Sequence, residues 1–193
     1  MAAELQWEQS KIVEAAGPGE AVVVVVMSHR GRAGGTVFYW QRYDRASGKL
    51  VKDVKHEPLS GFEVRYAAGL LQAKKADDVA YIGVVAAGDY VLISDDMLHP
   101  HSFCLGAPMM HVEAGSVTYI GGFRAYNSVS IEGLPERQAL GWEGDLDRAR
   151  AALAAQPELA ARLVAAPIMN GVQFACGVGA IAYRVPGAPD MTP

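Results

Sequence analysis

An excess of basic residues and long hydrophobic runs are both missing from this 193-residue chain. Lysine and arginine number 17 against 21 acidic residues, which gives a formal net charge of −4. A nucleic-acid-binding domain usually carries a basic stripe, so the composition argues against nucleic acid as a partner. The apolar run from Ala21 to Met27 is far shorter than the ~18 residues that span a bilayer. The sequence therefore predicts no transmembrane segment.

The first residues, MAAELQWEQSKIVE, also lack the basic region and small-residue cleavage site of a signal peptide. Two locations are compatible with this start. The protein is cytoplasmic if the chain is used as written. It is periplasmic, or part of the cell envelope, if a leader has been removed and replaced by Met1.

Cysteine is scarce, with only Cys104 and Cys176. Two cysteines permit one disulfide bond in an oxidising compartment. They are equally compatible with two buried thiols, which behave as small apolar residues. The sequence leaves both possibilities open.

Sequence motifs of the common enzyme classes are absent as well. The chain has no P-loop, no G-x-G-x-x-G, no H-E-x-x-H and no G-x-S-x-G nucleophile elbow. No catalytic residue can be assigned, and we expect a non-enzymatic protein. A fold alone does not exclude an enzyme, which stays as a further alternative.

Alternating apolar residues and β-formers dominate the first two-thirds of the chain and predict strands. The continuous run Ala21 to Ser28 predicts a strand buried on both faces. Further strands are expected at 36–43, 49–55, 78–94 with a turn, 116–123 and 177–185. The pattern favours an antiparallel β-sandwich, a mainly β fold.

The segment after Gly144, DLDRARAALAAQPELAARLVAAP, is rich in alanine and predicts helix. Asp145 suits an N-cap, and Pro157 suits the first turn of a second short helix. We expect one domain over residues 1–193. Its sandwich comprises 20–144 and 177–185, and a helical insertion occupies 145–167, with the helices at about 145–165.

The phrase VEAGSVTYIGGF, residues 112–123, resembles the "pGxvxYiG" signature of uncharacterised bacterial cell-envelope proteins, many of them lipoproteins. VVAAGDYVLI, SFCLGAPMMHVEAG and the helical segment resemble other parts of these proteins, so the likeness covers about residues 79–167. The resemblance implies a sandwich of the prealbumin or carboxypeptidase-regulatory type, located in the envelope, with no known activity. This chain lacks the signal peptide and the lipidation cysteine of that pattern.

The stretch DDMLHPHSFCLGAPMMH, residues 95–111, holds three of the five histidines and one cysteine. Imidazoles, a thiol and thioethers suit copper, and imidazole with thiolate suits zinc. The candidate metal ligands are His99, His101, Cys104 and His111. The alternative is a structural stretch, with a histidine loop followed by a strand in which Cys104 faces the core.

These observations favour a non-enzymatic accessory or binding protein of the cell envelope, and we expect its partner to be another protein, such as a member of an envelope complex. A copper- or zinc-binding protein using the His99–His111 stretch is the alternative function. The sequence identifies neither the ligand nor the oligomeric state.

Overall fold

The computed structural model describes residues 17–28, 36–51, 61–66, 78–95, 101–129, 137–176 and 179–191. These residues form twelve strands and two short helices. The strands are β1 Glu20–Ser28, β2 Thr36–Asp44, β3 Lys49–Leu50, β4 Gly61–Tyr66, β5 Asp78–Ala86, β6 Gly88–Asp95, β7 His101–Ser102, β8 Ala107–Val112, β9 Val117–Val129, β10 Arg137–Glu143, β11 Leu163–Ala165 and β12 Ile168–Val172. The helices are α1 Leu146–Ala152 and α2 Pro157–Arg162.

The strands form two sheets that pack against each other, which confirms the predicted mainly β fold. Sheet A has the order β10-β9-β1-β5, with β11 beside the start of β9. Sheet B has the order β12-β8-β6-β2-β3, with β4 on β2 and β7 on β6.

The predicted antiparallel pairing holds throughout sheet B but not in sheet A. There β1 pairs antiparallel with β5 but parallel with β9, and β11 is also parallel to β9. Alternation along a strand reports which face is buried, and it carries no information about the direction of the neighbouring strand. The sequence pattern therefore located most strands of the sandwich but gave the wrong pairing direction in sheet A. Of the strand predicted at 49–55, β3 covers Lys49–Leu50, and residues 52–55 lie outside the described part of the chain.

Strand β1 is buried on both faces, as its unbroken valine run predicted. Residues Ala21 to Val26 are each at most 4% exposed. Val23 and Val25 lie in the inter-sheet core, the apolar cluster that sheets A and B share. Val22, Val24 and Val26 lie in a second cluster, the helix-side core, which α1 and α2 cover.

The two helices begin where the sequence predicted. The Asp145 carboxylate caps α1 by accepting from the backbone N–H groups of Asp147 and Arg148, both at 3.1 Å. Pro157 occupies the first turn of α2. Leu159 and Leu163 are buried in the helix-side core. Leu163 already begins β11, so the helical part ends earlier than the predicted 145–167.

The YIGG phrase of β9 forms a β-bulge in sheet A. Val24 pairs with Tyr119 and Val26 with Gly122, so β9 carries one residue more than β1 between these pairs. Gly121 adopts a φ of +111°, and the Trp142 ring lies against its α-carbon. The motif that resembles envelope proteins is therefore a packing feature of the sheet.

The predicted closing strand at 177–185 is wrong. The strand that completes sheet B is β12, which pairs with β8. Within residues 179–185, Ala180 alone forms a β-bridge, to Ser102. This part of the chain bonds to the irregular turn that follows β7, so a regular ladder cannot form.

No helix in the described part of the chain is long and apolar enough to cross a membrane.

Candidate functional site

A disulfide bond joins Cys104 to Cys176, with 5.1 Å between their α-carbons. Cys104 is 1% exposed and lies in the turn between β7 and β8, whereas Cys176 is exposed. The expectation that Cys104 faces the core is confirmed, but it lies in a turn and not in a strand. The bond fastens the chain after β12 to sheet B across a sequence separation of 72 residues.

The C-terminal segment, residues 173–191, is also held by the buried side chain of Asn170. The Asn170 Nδ2 donates to the carbonyls of Val185 at 2.9 Å and Ala188 at 3.0 Å. Its Oδ1 accepts from the Val185 N–H at 2.8 Å. A buried amide with three good partners fixes the path of the backbone it bonds. The sequence signal that could have identified it is an asparagine inside the apolar run IMNGV.

Residues 179–183, which we call the C-terminal edge, run beside the turn 102–106. Ser102 N–H donates to Gly179 O at 3.1 Å, and Ile181 N–H donates to Ser102 O at 2.8 Å. The Ile181 carbonyl then accepts from Leu105 at 3.2 Å. Bonding alternates along an extended chain, so the backbone groups of Ala180 and Ala182 point away from sheet B. In the described part of the chain their N–H groups have no protein acceptor.

Exposed apolar side chains flank this edge. Leu105 is 55% exposed and Ile181 is 37% exposed. The third large exposed apolar residue among the described ones, Val164 at 52%, lies on β11 in the other sheet. An extended edge with apolar neighbours is suited to pairing with an added polypeptide strand.

His111, a candidate metal ligand, lies in a polar cluster on sheet B. Its Nδ1 is 2.8 Å from Asp89 Oδ1, and the two residues are paired across β6 and β8. Arg45 donates to the same carboxylate through Nε at 2.6 Å and a terminal nitrogen at 2.9 Å. The Asp89 carboxylate is therefore shared between two neighbouring side chains, and it ties β8 to the turn after β2.

The described members of the predicted ligand set, His101, Cys104 and His111, do not form one metal site. His101 pairs with Asp95 and His111 pairs with Asp89, six residues apart on the same strand β6. At about 3.3 Å per residue this separates the two α-carbons by roughly 17 to 20 Å, too far for two imidazoles to share an ion. The Cys104 sulfur is in the disulfide bond, so it is not a thiolate ligand.

The prediction that His99, His101, Cys104 and His111 form one metal site is therefore wrong, because Cys104 is in a disulfide bond and His101 lies far from His111. His99 lies outside the described residues. Among the described residues, no group of three or more His, Cys, Asp or Glu side chains could hold a metal ion. Met109 and Met110 are both fully buried, on β8, which begins at Ala107 and contains Pro108.

A second polar cluster surrounds Arg148 on α1. Its guanidinium donates to Asp78 through two nitrogens and forms an ion pair with Glu143. Donating hydrogen bonds to the Asp78 carboxylate raises the pKa of Arg148. Burial raises the pKa of the neighbouring Tyr119 hydroxyl, which donates to the Glu143 carbonyl at 3.1 Å. This cluster joins α1 to the start of β5 and the end of β10, so its role is to hold the helix on sheet A.

No known family model matches this chain, and neither a curated protein nor a solved structure matches it. The likeness to cell-envelope proteins therefore stays a resemblance of motifs.

Proposed function

We propose that this protein is a non-enzymatic binding or structural accessory protein of the bacterial cell envelope, and that it binds another polypeptide at its C-terminal edge. The observation that carries the proposal is the exposed edge at 179–183, with Leu105 and Ile181 beside it and the disulfide bond holding it in place.

The disulfide bond supports the location. Disulfides persist in the periplasm and at the cell surface and are rare in the cytoplasm, where thiols are kept reduced. The bond that holds the edge on sheet B would persist in such an oxidising compartment. The envelope location of the proteins that the sequence resembles agrees with this.

The backbone arrangement supports the kind of partner. The outward N–H and C=O groups of Ala180 and Ala182 offer main-chain hydrogen bonds to an extended strand. Leu105 and Ile181 offer apolar contacts for alternate side chains of that strand. Both polar clusters described above are occupied by bonds within the fold, so neither is as well suited to recognition as this edge.

Binding is tested by in-cell photo-crosslinking from a reactive amino acid placed at Leu105, with the same group at Val164 as the matched control. We expect a defined adduct from position 105 that is absent from position 164. Ile181→Glu and Ala182→Pro should each remove at least nine-tenths of the adduct, because one adds charge and the other removes an outward N–H. An adduct that survives both substitutions, or that forms equally from position 164, would contradict the proposal.

Location is tested by trapping thiols in intact cells of the native host, followed by denaturation and alkylation. We expect neither Cys104 nor Cys176 to be alkylated unless the sample is first reduced. Two freely alkylated cysteines would place the protein in a reducing compartment and refute the envelope proposal.

Metal binding stays as a second candidate, now without Cys104 and His111. The backbone register sets His101 directly opposite Asp95, and His99 lies two residues earlier in the chain. Two imidazoles and a carboxylate would suit zinc or copper. Titration of the disulfide-bonded protein with Zn(II), Cu(I) and Cu(II) should give a Kd below about 1 μM. Binding should be lost in the His99→Ala, His101→Ala double variant and kept in His111→Ala.

A further inference from the structure

The outer edge of β5, residues Asp78–Ala86, carries backbone groups that no described strand pairs. Val22 N–H donates to the Ser116 carbonyl, so the even-numbered residues of β1 direct their backbone groups towards β9. Val24 pairs with Ile82 on β5. Hydrogen bonding alternates along both strands, so the N–H and C=O groups of Ala80, Ile82 and Val84 point away from β1.

Within the part of the chain that the structure describes, this edge lacks the features that usually protect a strand from pairing with another chain. Edge strands are commonly short, bulged, charged or interrupted by proline. Strand β5 has nine residues, pairs with β1 without a register shift, and contains neither proline nor a basic residue. Its one charged residue is Asp78 at the start, which Arg148 neutralises.

Both faces of β5 are also apolar. Ala80, Ile82 and Val84 pack against the helix-side core, and Tyr81 and Val85 belong to the inter-sheet core. A long, uncharged edge between two apolar layers is a surface suited to continuing the sheet.

We propose that a second copy of this chain covers the edge, with the two β5 strands antiparallel about a two-fold axis at Ile82. In this register Ile82 lies opposite its own copy and Ala80 lies opposite Val84 of the other copy. Directly opposed residues of this kind exchange both backbone hydrogen bonds. All three outward N–H groups and all three outward C=O groups of each copy are then satisfied.

The side chains and charges fit the same arrangement. A two-fold axis perpendicular to the sheet keeps the helix-covered faces of both copies on one side, so apolar side chains continue across the junction. Asp78 lies opposite Ala86 of the other copy, so the two carboxylates stay at opposite ends of the interface. The two copies of sheet A become one continuous sheet.

Sedimentation and light scattering on the full, disulfide-bonded chain test the proposal. We expect twice the monomer mass of 20.5 kDa at roughly 100 μM. Ile82→Pro removes the N–H on the axis and should return the mass to that of the monomer. Ile181→Glu alters the other edge and should leave the dimer intact, so this result does not depend on the function proposed above.

Cysteine crosslinking keeps the proposal testable if Ile82→Pro fails to fold. Ile82→Cys should form an intermolecular disulfide under mild oxidation, because the two α-carbons would be about 5.5 Å apart. Val164→Cys, on β11, should give less than a tenth of that product. A monomer at roughly 100 μM, a dimer broken by Ile181→Glu, or equal crosslinking from both positions would overturn the proposal.

Discussion

Gly121 belongs to the YIGG motif, and it lies where the Trp142 ring packs against β9 in sheet A. It stands at the bulge of β9 with a φ of +111°, and a β-carbon there would overlap the Trp142 ring. The strand pattern predicted β9, but it did not predict the bulge. A period of two cannot reveal an extra residue whose partner strand is nearly a hundred residues away in the sequence.

Gly121→Ala should lower the free energy of unfolding by about 3 kcal/mol or more. The substitution combines a strained backbone conformation, which costs of order 1 to 3 kcal/mol, with overpacking against an aromatic ring. Chemical denaturation followed by circular dichroism measures the change.

Gly115→Ala is the matched control for this prediction. Gly115 has a φ of +73°, but nothing lies within 4 Å of the added β-carbon. It should cost only about 1 kcal/mol, the backbone contribution alone. Equal losses in the two variants would show that the contact with Trp142 does not matter.

Tyr90 gives the stability a dependence on alkaline pH. Burial raises the pKa of its hydroxyl to about 12, while the nearby Arg42 opposes the rise. An unfolded tyrosine ionises near pH 10, so the folded state binds the proton more tightly. This contribution is complete below about pH 10 and is lost as the pH rises towards 12.

Tyr90→Phe should therefore flatten the fall in stability between about pH 10 and 12. It should also cost about 1 kcal/mol near neutral pH, because the 2.8 Å hydrogen bond from Tyr90 to the Ala86 carbonyl is lost. Urea denaturation of both proteins at pH 8, 10 and 11 measures this. Parallel pH curves for the two proteins would argue against the prediction.

At the scale of elements, the sequence predicted the features that depend on residues close together in the chain. The valine run predicted β1, and the Asp145 cap and Pro157 predicted both helix starts. What the sequence could not predict depends on distant contacts. Strand β1 pairs in parallel with β9, and Ala180 forms a bridge with Ser102. Both interactions join segments that are far apart in sequence.

The candidate binding edge at 179–183 is another feature that depends on contacts between distant parts of the sequence. From the sequence, Cys104 was a candidate metal ligand, and its disulfide bond to Cys176 was one of two possibilities. Ile181 was expected inside a regular strand. Its exposure and its place beside Leu105 follow from the tertiary contacts of the C-terminal segment.

The disulfide bond should stabilise this segment above all others. Closing a loop of this length contributes about 4 kcal/mol in the chain-entropy model. In the Cys104→Ala, Cys176→Ser double variant we expect that loss, together with faster amide exchange across residues 173–191. Exchange in β1 should keep the greatest protection. Reduced wild-type protein is the control, and slow exchange at 179–183 in both samples would contradict the prediction.

Across the whole molecule, β1 joins two apolar cores through one strand. Val24 is fully buried in the helix-side core, and its neighbour Val25 is buried in the inter-sheet core. The helices, sheet A and sheet B therefore share a backbone segment whose loss disrupts all three layers. We expect the described part of the chain to unfold as one cooperative unit.

Val24→Ala and Val25→Ala test that cooperativity from the two sides of the strand. Each removes buried methyl groups and should cost about 2 kcal/mol, since neither site can fully collapse around the cavity. If the cores are coupled, far-ultraviolet circular dichroism, which follows the backbone, and the near-ultraviolet signal of the packed aromatic residues should shift together in both variants. Separate midpoints in Val24→Ala, with the helical signal lost first, would mean that the helix-side core unfolds on its own. The helical segment would then be an independent layer, and β1 would not couple it to the sandwich.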